Sequence, residues 1–218
     1  MEIFRIEEKT YSSNCYIIAT DNRNAIVIDP NSFEEIQEIL TTHGLTLKYI
    51  LLTHEHYDHV CALEELKKYQ ADALVVAQKH CSEALPFVDQ NKERFRLYLH
   101  YMGVDRHIAL KSCKPDCADM EFDDNLELKL DDCQFVLKGT PGHSPGSSAF
   151  ILNERYLFAG DSVLLAKDVV VKFSGGDIKL FENLAKPFFK SLKDSLIVMP
   201  GHGAPFCLSE KLKNDWKD

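Results

Sequence analysis

Four stretches of this chain share one form: an apolar, β-prone run ends in a loop that carries a histidine or an aspartate, with small residues around it in the last three. They are "LLTHEHYDH" at 51–59, "GTPGHSPGSS" at 139–148, "YLFAGDS" at 156–162 and "VMPGHGAP" at 198–205. A chain that satisfies all four must bring several strand ends to one edge and set polar loops there. The first stretch is the densest, with His54, His56, Asp58 and His59 inside six residues. In extended backbone, residues two apart point the same way, so His54 and His56 can reach one ion. Asp58 and His59 come after the chain turns toward a helix and can face a second point. Imidazole with carboxylate suits zinc, iron or manganese better than magnesium or calcium. Taken singly, His143, Asp161 and His202 read as turn or capping residues as readily as ligands. Four such segments in one chain make coincidence a poor account.

The rest of the pattern supplies the strands. Glu2–Glu8, Cys15–Thr20 and Asn24–Asp29 are β-rich runs separated by turn residues. A helix follows in "NSFEEIQEILTTHG", with Ser32 as N-cap, Glu35 completing a capping box and Gly44 as the stop. Lys48–Leu52 is a buried strand leading into the histidine cluster, His59–Tyr69 a helix and Ala73–Ala77 a strand. Residues 78–102 read as helical and 103–118 as irregular. Strands return at Leu126–Leu130, Gln134–Gly139, Ser147–Leu152 and Tyr156–Ala159, with "LNER" as a hairpin turn. Asp177–Leu192 is predicted helical, Leu196–Met199 a strand, and Ser209–Trp216 a terminal helix. Strands and helices thus occur twice in the same order. Two mixed sheets face to face with helices outside would bury them: an α/β, four-layer αββα sandwich in one domain, 1–218, with a helical insert at about 78–118.

The 218 residues carry a formal net charge of -9, which argues against nucleic acid or an anionic membrane as main partner. No stretch reads as a signal peptide or approaches membrane-spanning length. Seven scattered cysteines with no C-x-x-C fit reduced thiols in a cytoplasmic protein. Cys113 and Cys117 have the spacing of half a zinc site, but no second pair follows.

"THEHYDH", "PGHSPGS", "FAGDS" and "PGHG", with "VIDP" at 27–30, resemble the motif series of the metallo-β-lactamase fold superfamily, in its hydroxyacylglutathione hydrolase (glyoxalase II-like) branch. The resemblance implies two divalent transition metals, zinc first, with iron or manganese as alternatives. His54, His56 and His143 would bind one; Asp58, His59 and His202 the other; Asp161 would bridge. Asp29 would orient a ligand histidine from behind. A bridging hydroxide would attack an ester-like carbonyl, with Asp58 handling its proton. Cys61 is the rival nucleophile and is expected to pack inward. The implied substrate is a small molecule, an anionic thioester in the main reading. A mononuclear iron persulfide dioxygenase, a lactonase and a non-enzymatic metal-binding protein are the alternatives. The chain departs from full-length glyoxalase II in lacking its C-terminal helical domain and the glycine-plus-basic signature after Asp161. The insert, basic over Asp89–His107 through Lys92, Arg94, Arg96 and Arg106, reads either as a lid that meets the substrate's anionic part or as a packing face, against the outer shell or a second copy in a homodimer.

Overall fold

The computed structural model describes all residues except 102, 104–106, 166, 174 and 217–218, and the backbone only of 213–214. Two six-stranded mixed sheets form its centre. The first runs β1 (Glu2–Glu7), β2 (Asn14–Ala19), β3 (Asn24–Ile28), β4 (Thr46–Leu52), β5 (Leu74–Gln78), β6 (Met120–Phe122) in spatial order. The second holds β7 (Asn125–Leu130), β8 (Cys133–Gly139), β9 (Ser148–Leu152), β10 (Tyr156–Gly160), β11 (Ile197–Pro200) and β12 (Phe206–Cys207), again adjacent in chain order. The first sheet is antiparallel through β3 and parallel beyond it. In the second only β10 and β11 are parallel.

Alternation along each strand builds three cores. Tyr16 and Ile18 of β2, Ile26 and Ile28 of β3 and Leu51 of β4 face Phe135, Phe150, Phe158 and Met199 between the sheets. Their neighbours Ile17, Val27, Ile50 and Leu52 point outward onto α1 (Phe33–Thr42) and α3 (Leu63–Tyr69), through Ile36, Leu40, Leu63 and Leu66. On the far side, Leu157 and Val198 meet Phe181, Phe189 and Trp216. Those side chains come from α6 (Ile178–Leu180), which passes through a π-turn (Phe181–Ala185) into α7 (Lys186–Ser191), and from the end of the chain after α8 (Leu208–Asn214). The result is the expected αββα order of the metallo-β-lactamase fold.

Local expectations fare unevenly. Asn153 and Glu154 in "LNER" both have positive φ, as a type I′ turn requires. Ser32 sits at the N-cap of α1, but its side chain makes no cap bond, so the box with Glu35 is not formed; the reciprocal box appears instead at Cys207 and Glu210 before α8. The predicted 59–69 helix is two pieces, α2 (Tyr57–Val60) and α3, broken at Cys61 and Ala62. The helical stretch from 78 resolves into α4 (Lys79–Ala84), a 3₁₀ turn (Leu85–Phe87) and α5 (Val88–Tyr101). Strands β6 and β12, of three and two residues, lie at sheet edges and are too short to show a period. Among the described residues no helix is long and apolar enough to cross a membrane.

Candidate metal centre

Strands β3, β4, β8, β10 and β11 all deliver their C-terminal ends to one edge, and each is followed by a polar residue of the site: Asp29, His54, His143, Asp161 and His202. Asp58 and His59 arrive on α2, whose single turn points back at that edge. His54, His56 and His143 come together with ligand atoms within 4.8 Å of one another, and Asp58, His59 and His202 do the same. Asp161 spans the two sets. Its Oδ1 is 3.5 Å from His59 Nε2; its Oδ2 is 3.7 Å from His143 Nε2 and 3.5 Å from His202 Nε2. Asp58 Oδ2 lies 3.5 Å from His59 Nε2 and 3.3 Å from His202 Nε2.

Four of the five histidines are oriented from behind. His59 Nδ1 donates to Asp29 Oδ2 at 3.1 Å, since a carboxylate only accepts. Thr53 Oγ1 donates to the same Asp29 oxygen at 2.6 Å and so accepts from His54 Nδ1 at 3.0 Å. His143 Nδ1 donates to the Val170 carbonyl at 2.6 Å and His202 Nδ1 to the Ser12 carbonyl at 3.0 Å. With Nδ1 thus holding a ring hydrogen, Nε2 of each faces inward, the atom that could bind a metal once it carries no second proton. His56 is the exception: it presents Nδ1, 2.9 Å from His143 Nε2. Asp29 therefore serves two histidines, one directly and one through Thr53, and its own backbone pays with a φ of 54°. The trio Asp29, His54 and His59 also falls within ligand distance, but these hydrogen bonds place Asp29 behind the imidazoles.

The donor set fits metal ions on two counts. His54 Nε2, His59 Nε2 and Asp161 Oδ1 are buried without a hydrogen-bond partner, an arrangement that is costly unless something else satisfies them. Bonds of about 2.0–2.1 Å in tetrahedral geometry put neighbouring ligand atoms about 3.3 Å apart, close to the separations between Asp58, His59, His202 and Asp161. Small residues make room: a Cβ at Gly160, where φ is 49°, would stand 2.5 Å from Thr53 Oγ1, and one at Gly201 would collide with Asp161 Oδ1.

The two halves differ in charge. Burial, with neighbouring imidazoles adding to it, holds His54 well below the usual histidine range and pushes His56 down to about 3. Burial also lowers His143. This half is neutral and open to a cation. At His59 burial opposes protonation too, but Asp58 and Asp161 overcome it and push the ring up to about 9; His202 is raised by Asp161 and Asp58 in the same way. Asp58 and Asp161 are correspondingly held below the carboxylate range by these imidazoles, against the effect of burial. In this half a proton occupies the place of positive charge that a metal would take.

The sequence pattern described as the metallo-beta-lactamase superfamily matches residues 9–202. The chain belongs to that superfamily. Its likeness to the hydroxyacylglutathione hydrolase branch extends along the whole chain. GloC, a hydroxyacylglutathione hydrolase of Haemophilus influenzae, is 28% identical over 221 residues, covering 99% of this chain and 97% of that protein. The hydroxyacylglutathione hydrolase of Photobacterium profundum is 27% identical over 195 residues; the match takes in 89% of this chain but 60% of that longer enzyme. Among solved structures, the B3 metallo-β-lactamase BLEG-1 superposes with a TM-score of 0.80 at 23% identity, with 98% of each chain covered. At that identity the likeness is one of fold.

All seven residues expected from the motifs meet at this edge. Cys61 is turned away, donating to the Asn31 carbonyl, and burial raises its thiol well above the ordinary range. Cys113 is buried with its thiol on the Val60 carbonyl, whereas Cys117 is exposed. No residue pattern marks out Thr53, the Ser12 and Val170 carbonyls, or the wall beside His56. That wall is aromatic: Phe173 packs on His56 at 4.8 Å and Tyr98 of α5 packs on Phe173 at 4.7 Å. Beneath it a cavity of about 380 Å³ opens beside His56, lined by Tyr57, Glu83, Arg94 and Phe95 among others.

Proposed function

We propose that this protein is a binuclear metal-dependent hydrolase that cleaves thioesters, a hydroxyacylglutathione hydrolase-like enzyme of the cytoplasm. The observation that carries the reading is a pair of ligand sets spanned by Asp161, with His54 Nε2, His59 Nε2 and Asp161 Oδ1 left without a hydrogen-bond partner among the described residues. His54, His56 and His143 would hold one cation, Asp58, His59 and His202 the other, with zinc the first choice and iron or manganese alternatives. Bound there, the pair supplies Lewis-acid activation of water and of the thioester carbonyl. The protein's own groups do the rest. Asp29, directly and through Thr53, fixes the tautomers of His59 and His54. Asp58, whose Oδ2 faces the centre, takes the proton of the attacking water. It returns that proton to the leaving sulfur as the C–S bond breaks and the acyl carbon gains its oxygen. Phe173 and Tyr98 close one side against solvent.

The relatives' names support a hydrolase, and the cavity beside His56 favours an enzyme over a passive metal-binding protein. The persulfide dioxygenase reading needs one iron, and so gives Asp58, His59 and His202 no task. A lactonase would use the same centre on a different ester. All seven cysteines are free thiols, in keeping with a reducing compartment. Replacing His59 by alanine tests the binuclear reading: turnover of an α-hydroxyacyl thioester, followed by thiol release, should fall by about 10²-fold or more. A variant that kept wild-type turnover with one bound iron would point to the dioxygenase.

A further inference from the structure

Helix α5 carries three basic residues in the described part of the insert, and two of them are spent on the helix itself. Lys92 Nζ bonds Asp89 at 2.8 Å, and Arg96 makes a two-pronged bond to Glu93 at 2.8 and 2.7 Å; each acid lies three residues before its base. Arg94 has no such neighbour. Gln90 and Asn91 precede it, and Leu97 and Tyr98 follow, at the spacings where a helix could supply a carboxylate. Among the described residues its guanidinium has no hydrogen bond or ion pair, yet it lines the cavity that begins at His56. The acids of that cavity are engaged. Glu55 accepts from Ser144 Oγ at 2.9 Å, and Glu83 lies 3.3 Å from His80 Nδ1. Among the described residues lining the cavity, Arg94 is the one that carries a permanent positive charge, and its planar donor group is left without a partner there.

We infer that Arg94 is the specificity-determining residue of this protein: it receives an anionic group, a carboxylate, on the thiol half of the substrate, which lies in the cavity between α4 and α5. The inference rests on the thioester reading above and adds the direction in which the leaving thiol extends, along Tyr57 and Phe95 and away from Asp161. A guanidinium suits the task because it offers a carboxylate two parallel N–H donors. The cavity's 380 Å³ is toward the small end of ligand sites, in keeping with an amino-acid- or small-peptide-sized thiol.

Two variants, Arg94→Ala and Arg94→Lys, test this in the metal-loaded protein, with a carboxylate-bearing thioester and a neutral thioester of similar size as substrates. For Arg94→Ala we expect KM for the anionic thioester to rise about tenfold to a hundredfold, with metal content unchanged and a much smaller change for the neutral one. Arg94→Lys should recover part of the loss. Binding of S-methylglutathione, a thioether that cannot be hydrolysed, should weaken in parallel, and this readout does not depend on turnover. Selective loss of that binding in a protein that cleaves no thioester would support Arg94 and sink the hydrolase. Equal KM changes for both substrates, or unchanged binding of the thioether in Arg94→Ala, would overturn the role of Arg94 and leave the hydrolase standing.

Discussion

Asp29 decides more of this site than any residue that faces a ligand. One oxygen accepts from His59 and from Thr53, and Thr53 in turn holds His54, so one carboxylate sets a histidine in each half of the centre. Asp29→Asn keeps the shape and tolerates the left-handed backbone. It replaces one carboxylate oxygen by an amide nitrogen, which can no longer accept from both partners. Metal affinity measured by competition with a chelator should drop by about 10–100-fold. Unchanged affinity would mean that the tautomers are held by something else. At this scale the sequence was legible where donor residue types are dense: His54, His56, Asp58 and His59 stand out together, whereas His143, Asp161 and His202 drew notice only as a set of similar segments. Groups that act through backbone atoms, such as the Ser12 and Val170 carbonyls, have no signature in residue identity. Thr53 is hidden differently, since a threonine at a strand end is ordinary.

At the level of elements, strands buried on both faces were readable because both alternating sets are apolar, as in β2, where all six residues are buried. Boundaries came within a residue or two. The misses have physical causes. The break at Cys61 and Ala62 follows from α2 serving the metal edge and α3 serving the outer core, two directions that one straight helix cannot satisfy. The insert has no single apolar stripe in its sequence. Val88, Phe95 and Leu99 of α5 are buried, while Leu97 and Tyr101 stand 69% and 81% exposed. One face of α5 packs on Tyr57 and Tyr11 through Phe95, and the next face lines the cavity. Arg106, counted in the basic stretch of the insert, lies outside the described residues. On the opposite layer, Phe189 of α7 is fully buried against Trp216. Phe189→Ala should cost about 3–5 kcal/mol, read as a lower denaturation midpoint with metal content unchanged at low temperature. A loss under about 1 kcal/mol would show that the outer layer closes over the gap.

Seen as a whole molecule, the two sheets together make the edge that gathers the candidate ligands. The first sheet brings Asp29 and the His54–His59 segment, the second brings His143, Asp161 and His202, and neither sheet alone holds a complete set. Strand β2 fastens them together: Asn14 Nδ2 and Tyr16 OH both donate to the Pro200 carbonyl, at 2.9 and 2.7 Å, while Ser13 Oγ, just before the strand, holds the Asp58 carbonyl at 2.8 Å. This division of labour is why the αββα order could be inferred from four scattered motifs, whereas the identity of the substrate could not: the motifs fix the edge, and the cavity is built by an insert with no motif of its own. The account as a whole turns on two cations acting together. The measurement that tests it most directly is thioester hydrolysis followed while zinc is titrated into chelator-treated protein. Activity should be absent at the start and rise to a plateau at two equivalents per chain. A plateau at one equivalent, or full activity before any metal is added, would contradict it.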